Sequence, residues 1–284
     1  MPTAYAPTVR QRRIGSALRK ARLHRNLTLA TASGHCGRSA GWLSVVENGL
    51  HPIAPEELAN LLDYYEVPAG PLRDSLLHLA THTPGRWNRV FEHRISAAAL
   101  DLASLEEDAA EICDFECNLV PGLLQTPAYT QELVVIGAAK HPHNIKSLVD
   151  FRKSRQQVLF RPDPPSYKPL IAEAVLYNLI GGDPAILRAQ IRRLSQVSQL
   201  NHVDLRVLPR SASAYLQLIT PCHLISLRPP GRLTVSIAEL SSGIVFVEDE
   251  DEVAAHQEIF ELMRSAALSR TASLELIDGI ASQS

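Results

Sequence analysis

Apolar residues recur at three- and four-residue steps early in the chain, at Ile14, Ala17, Leu18 and Ala21 and again at Leu58, Leu61, Leu62 and Tyr65. That period lays each set along one face of a helix. Between them, Leu27 to Gly49 suits two short helices joined by a tight turn, with Thr28 capping the first, Gly37 making the turn and Ser39 capping the second. Leu27, Ala32, Leu43 and Val46 then join the flanking stripes in one small core, near the minimum size for an autonomous domain. Pro68-Ala-Gly-Pro71 interrupts the pattern, and Leu72 to Thr81 adds a fifth helix before Thr83-Pro-Gly85 marks the boundary.

Beyond it the pattern changes. A helix is predicted over Ile95 to Leu105, a largely buried strand over Ala109 to Leu119, and a helix from Thr126-Pro127 to Ala138. A helix from Asn144 to Phe160 stops at Pro162-Asp-Pro-Pro165, and Leu170 to Leu176 reads as a strand. Gly181-Gly-Asp-Pro184 breaks the chain, and Asp183 caps a helix whose stripe is Leu187, Ile191, Leu194 and Val197. Three strands follow, Val203 to Leu208, Cys222 to Leu227 and Leu233 to Glu239, the last two turned by Pro229-Pro-Gly231, with a short strand at Ile244 to Val247. The acids Glu248 to Glu252 open a helix, where they favour the positive end of its dipole, and Ser269 to Ile280 closes the chain as another helix. The predicted fold is an α-helical N-terminal helix-turn-helix bundle followed by an α+β domain with a mixed sheet. Its parts are a flexible basic arm at 1–13, the bundle at 14–82 and the α+β domain at 83–284.

Charge sharpens the division. Residues 1 to 50 carry eight basic residues against the single acid Glu47, a net of +7, while the whole chain carries −2, which leaves −9 on the other 234. A basic head on an acidic body suits a DNA-binding module fused to a domain that avoids DNA. No leader and no apolar run of about 18 residues is found, so a cytoplasmic protein is expected. The four cysteines lie at neither disulfide-framework nor zinc-site spacing and read as buried or neutral thiols.

In the bundle, the arm ending in Arg10-Gln-Arg-Arg13 is expected to neutralise phosphates. Arg19, Arg22 and Arg25 on the first helix are expected to do the same, with Thr28 and Arg38 beside them. Ser39, Ala40, Trp42 and Ser44, with Gly41 among them, are placed to face the groove. That set holds none of the Arg, Lys, Asn or Gln side chains that most often read guanine and adenine.

In the second domain, Glu173 and Glu239 are acids in otherwise apolar strands, where an unpaired carboxylate costs several kcal/mol. Arg155, Arg206 and Gln125 are available partners. The residues read either as a polar link between elements or as a ligand-binding cleft formed by Gln125, Arg155, Glu173 and Glu239. No phosphate-binding loop, nucleophile elbow or zinc helix is present, so no catalytic residue, metal or cofactor is assigned and an enzyme is not expected. His141-Pro-His143 reads as an exposed loop.

The register Thr28, Gly37, Ser39, Leu43-Ser44, Val46-Glu47-Asn48-Gly49 resembles the helix-turn-helix of the xenobiotic-response-element (XRE) family of repressor-like proteins. Leu29 stands where that family commonly has Gln, and Gly41 within the second helix costs about 1 kcal/mol. Downstream, Val120-Pro-Gly-Leu-Leu-Gln-Thr126, Arg155-Gln156 with Pro162-Asp-Pro-Pro165, Glu173-Ala-Val-Leu176, Gly181-Gly182 before Gln190, and Val207-Leu-Pro209 occur in order. They resemble the C-terminal domain of unknown function of Scr-family, antitoxin-like regulators of actinobacterial type. The resemblance implies a regulator often encoded beside a small partner protein. The expected activity is a homodimeric transcriptional regulator that binds double-stranded DNA and senses a small ligand or partner protein. The alternatives are a C-terminal cleft acting as an enzyme on a small molecule, and an antitoxin-like interaction protein.

Overall fold

The computed structural model describes residues 7–82, 86–91, 93–137, 145–217, 220–240 and 243–283. The chain forms two compact units, one of residues 1–86 with Leu227–Leu233 and the other of residues 87–226 with 234–284. His141 and His143 lie outside the described residues.

The first unit contains α1 (Val9–His24), α2 (Leu29–His35), α3 (Ala40–Glu47), α4 (Pro55–Tyr64) and α5 (Pro71–Thr81). The first helix starts five residues earlier than its apolar stripe indicates. Thr8 accepts from the Gln11 backbone N–H while the Gln11 side chain accepts from the Thr8 N–H, so a capping box extends the helix to Val9. Residues 9–13 are therefore helix rather than a flexible arm, and Arg10 is buried within it. The turn chemistry agrees with the sequence: Thr28 accepts from Thr31 N–H, Ser39 from Trp42 N–H, and Gly37 takes φ +63°. Leu18, Ala32, Leu43, Val46, Leu58, Leu61 and Leu62 form the core. The hydroxyl of Ser75 on α5 donates to the Gly231 carbonyl at 2.9 Å, which fixes the returning segment in this unit.

The second unit opens with α6 (Arg86–Phe91), which the periodicity does not reveal because it is under two turns long, and α7 (Ala97–Glu107). A six-stranded sheet follows in the order β3-β2-β1-β4-β5-β6, from β1 (Ala109–Glu116), β2 (Ser166–Ala172), β3 (Arg206–Leu208), β4 (Cys222–Leu227), β5 (Thr234–Leu240) and β6 (Gly243–Val247). β1, β2 and β3 pair in parallel, whereas β4, β5 and β6 pair antiparallel to one another, so the sheet is mixed. The crossovers are α8 (Pro127–Gly137) with α9 (Ile145–Arg155), and α10 (Pro184–Ser198); α11 (Glu250–Ala266) and α12 (Arg270–Gln283) end the chain. Asp249 caps α11 and three acids occupy its first turn, the structural role expected of that run.

The two sheet faces differ. Cys113, Phe115, Leu170, Leu208, Cys222 and Leu224 pack under Phe260 and Met263 of α11. Alternation sends Ile112, Asp114 and Glu116 to the opposite face, together with Tyr167 and His223 from the neighbouring strands. On the helical side, Trp87, Phe91 and Phe151 meet with ring centroids 5.2–6.3 Å apart and join α6, α7 and α9.

One strand expectation fails. Leu170 to Leu176 is not a single strand: β2 ends at Ala172, and Glu173–Tyr177 winds into a 3-10 turn. Glu173 is thereby carried off the sheet.

Two glycines of the first unit have opposite surroundings. A Cβ on Gly15 would stand 2.5 Å from the Val46 carbonyl oxygen, whereas one on Gly41 meets nothing closer than Ser39 Oγ at 3.8 Å. Gly15→Ala is expected to destabilise the protein by about 1–3 kcal/mol through overpacking. Gly41→Ala should stabilise it by roughly 0.5–1 kcal/mol through helix propensity. Urea titration of both variants checks the sign reversal.

Candidate functional site

The closing Val46-Glu47-Asn48-Gly49 of α3 is a docking device for α1. Glu47 is buried and receives a bidentate pair from Arg22 Nε and Nη2 at 2.7 and 2.8 Å, while Arg22 Nη1 donates to the Leu27 carbonyl. Arg22 therefore does not face DNA as the sequence reading expected; its charge is spent inside the unit, and the Glu47 hydrogen bond holds its pKa raised. Gly49 turns at φ +71°, and a Cβ there would stand 2.8 Å from the Arg12 Cα. The recognisable motif thus sets the angle at which α3 leaves α1.

The remaining predicted contacts divide. Arg19 is exposed on α1. Arg25 is exposed but holds Glu66 at 2.5 and 2.6 Å, and Arg38 holds Glu57 while its guanidinium lies 5.3 Å over the Trp42 ring. Exposed pairs of this kind contribute about 0–1 kcal/mol and exchange readily for phosphate. The Thr28 and Ser39 hydroxyls serve as caps, Ala40, Trp42 and Ser44 are half-buried, and the outermost side of α3 is Gly41 and Val45. Val45, 37% exposed, escaped the sequence reading because an aliphatic residue in an amphipathic helix is assigned to the core by default.

In the second unit the sheet face under α7 and α9 carries a connected set of charges. Asp114 on β1 is buried and accepts from the Tyr167 hydroxyl of β2 at 2.5 Å and from His223 Nδ1 of β4. His223 Nε2 lies 3.6 Å from Glu239 Oε1 on β5. Glu116, half-buried at the carboxyl end of β1, has no hydrogen-bond partner among the described residues. Above it, Arg155 of α9 makes a bidentate pair with Glu106 of α7 at 2.7 and 2.8 Å, both buried. Arg152, one turn earlier, donates from Nη1 to Gln125 Oε1 at 2.9 Å and makes no other hydrogen bond within the described residues.

Three buried glutamines fix the loop after β1. Gln125 donates to the Val120 carbonyl, Gln156 to those of Gly122 and Gln125, and Gln190 to that of Leu124 while accepting from Thr126 N–H. The sequence pieces around residues 120–126, 155–156 and 190 are thus one hydrogen-bonded assembly, satisfying main-chain groups that water cannot reach.

Of the four expected ligand residues, the structure gathers three. Gln125, Arg155 and Glu239 border the charged face, Arg155 being committed to Glu106. Glu173 does not join them: past the end of β2 its carboxylate accepts from the Arg210 backbone N–H at 2.9 Å and faces Arg210 Nε at 3.4 Å. Asp114, Glu116, Arg152, Tyr167 and His223 were missed. The available signal was the alternation Ile112-Asp114-Glu116, which places two acids on one face of a central strand.

A family model described as a domain of unknown function (DUF5753) matches residues 99–279, and one described as a helix-turn-helix domain matches residues 13–76. The chain belongs to the DUF5753 family. No curated protein and no solved structure matches it. No helix among the described residues is long and apolar enough to cross a membrane.

Electrostatics in the DUF5753 domain follow from burial. Desolvation opposes a charged His223, but Asp114 and Glu239 outweigh it and raise the ring well above its ordinary value. The nearby His223 ring leads the causes that hold Glu239 down at about 2, despite its own burial cost, with Arg155 and Arg152 adding to the effect. Burial keeps Tyr167 a neutral donor, with Asp114 adding to the effect. Glu116 moves the other way: burial pushes it up to about 7, although the His223 charge opposes the rise. Glu116 stands at the carboxyl end of β1, the strand that borders the parallel strands on one side and β4 on the other.

A carboxyl whose folded pKa exceeds its unfolded value of 4.5 loses stability as pH rises from about 4.5 through about 7. Glu116→Gln in the DUF5753 domain removes that loss. It is expected to raise stability by on the order of 1–2 kcal/mol at pH 8 and to leave it nearly unchanged at pH 5. Chemical denaturation at the two pH values checks it.

Proposed function

We propose that the chain is a DNA-binding transcriptional regulator of XRE type, not an enzyme, acting as a homodimer in the cytoplasm. Its DUF5753 domain senses a small ligand or partner protein in the manner of antitoxin-like regulators. The observation that carries the reading is the build of α3. Its inner side is committed to the core and to Arg22 through Glu47, its outer side of Gly41 and Val45 is left open, and α1 carries the exposed cation Arg19. Such a helix enters the major groove with its N-terminal turns, and two copies are needed to span adjacent half-sites.

Readout differs from the usual polar pairing. Val45 offers an aliphatic surface that suits a thymine methyl, and the missing glycine side chain at position 41 lets the backbone approach the base edges. Arg19 supplies charge without sequence information, and Arg25 and Arg38 join it when phosphates replace Glu66 and Glu57. On this reading the charged face around Asp114, Glu116, Arg152 and His223 is the sensing site.

The test is binding to the DNA upstream of the protein's own coding sequence, against an unrelated duplex, across a salt series. Upstream DNA is expected to bind at least about 10³-fold tighter than the unrelated duplex. Arg19→Ala should weaken both and lower the salt slope by about 1. Val45→Ala should weaken only the upstream site, by about 1 kcal/mol. Equal affinity for the two duplexes would overturn the regulator.

A further inference from the structure

We infer that the charged face of the second domain binds a small zwitterion of the α-amino-acid class, Arg152 taking its carboxylate and Glu116 with Glu239 taking its ammonium group. This deepens the sensing reading and rests on it for the consequence, though not for the binding itself.

The argument is one of unmatched groups. Asp114, His223 and Tyr167 satisfy one another, as do Arg155 and Glu106, while Glu239 has only a 3.6 Å contact with His223 on its inner side and is open to solvent on the other. What remains has both signs. Arg152 is half-buried and uses a single Nη1 donor on Gln125, so Nε and Nη2 have no acceptor among the described residues. A guanidinium fork with two free donors matches a carboxylate in geometry as well as charge. It is also aimed: Gln125, anchored on the Val120 carbonyl and on Thr130, holds its outer nitrogen, and Arg152 Nε stands 3.9 Å from where a Gly122 side chain would begin.

Glu116 is the opposite member. Its carboxyl has no hydrogen-bond partner among the described residues, yet it lies within the fields of Glu239 and Arg152, and Arg152 within those of Glu116 and Glu239. Arg152 and Glu116 form no ion pair with each other, so neither is consumed by the fold. Glu239 is 46% exposed, which opens the acidic side of the site to solvent. A ligand carrying only a carboxylate would meet Arg152 but face the two glutamates; one carrying only an amine would leave Arg152 desolvated and unpaired. A zwitterion satisfies both ends. An ammonium group beside Glu116 also favours its ionised form, so binding strengthens as pH rises from 6 to 8; the groups facing it from the neighbouring strands and α9 are His223, Asp114, Glu239 and Arg152.

The test is isothermal titration of the full chain at pH 8 with the twenty standard α-amino acids. Any binder is then compared with its deaminated and decarboxylated counterparts, for leucine 4-methylpentanoate and 3-methylbutylamine. At least one amino acid is expected to bind one to one, with each single-charge counterpart at least tenfold weaker. Arg152→Gln and Glu116→Gln should each weaken it at least tenfold, and Glu173→Gln should not. The counterpart series uses the unaltered protein and so does not depend on any variant folding. Absence of binding by every amino acid, or a counterpart binding as tightly, overturns the proposal. Running the binder in the upstream-DNA assay separates the two readings. An amino acid that binds without changing DNA affinity leaves the zwitterion site standing and removes its sensing role. A compound of another charge class that does change DNA affinity preserves the sensing role and overturns the zwitterion.

Discussion

A charge taken out of water must meet its opposite, and both units are arranged around that demand. In the first, Arg22 on α1 and Glu47 at the end of α3 are buried together across 25 residues of chain. In the second, Arg155 meets Glu106 and Asp114 meets His223 across 49 and 109 residues. Loss of one partner from such a pair leaves a buried charge that costs about 3–5 kcal/mol, so each pair fixes which segments lie together more firmly than apolar packing does. A bidentate guanidinium pair adds geometric specificity to the contact.

The same demand explains which charges remain for function. Once Arg22 is taken by Glu47, the bundle keeps Arg19 and Lys20 exposed on α1, with Arg25 and Arg38 paired to Glu66 and Glu57. Once Arg155 is taken by Glu106, Arg152 is left with most of its donors unused. Glu116 completes the contrast: on the same strand as Asp114 and two residues away, it lacks the histidine and tyrosine that stabilise its neighbour. Function, on this account, sits with the groups that the fold has not neutralised.

Residues in local registers were legible from sequence. Thr28, Gly37 and Ser39 act over three or four residues, and their caps and turn follow from backbone chemistry alone. The helix stripes and the acids at the start of α11 are legible for the same reason. The start of α1 was misplaced because a capping box outweighs the absence of an apolar residue at that end. Glu173 was misplaced because a buried run that ends a strand and one that continues it look alike until the chain turns.

By itself, the sequence determined most of the elements, the division into a basic helical head and an acidic mixed-sheet body, and the helix-turn-helix between Thr28 and Gly49. The tertiary structure alone decided the partners of the charges. Whether an arginine holds phosphate or a buried carboxylate depends on strand order and helix placement, which bring Asp114, Tyr167, His223 and Glu239 from four strands onto one face. Sequence spacing carries no record of that convergence, because the distance between two charges in a fold is set by the packing of every element between them.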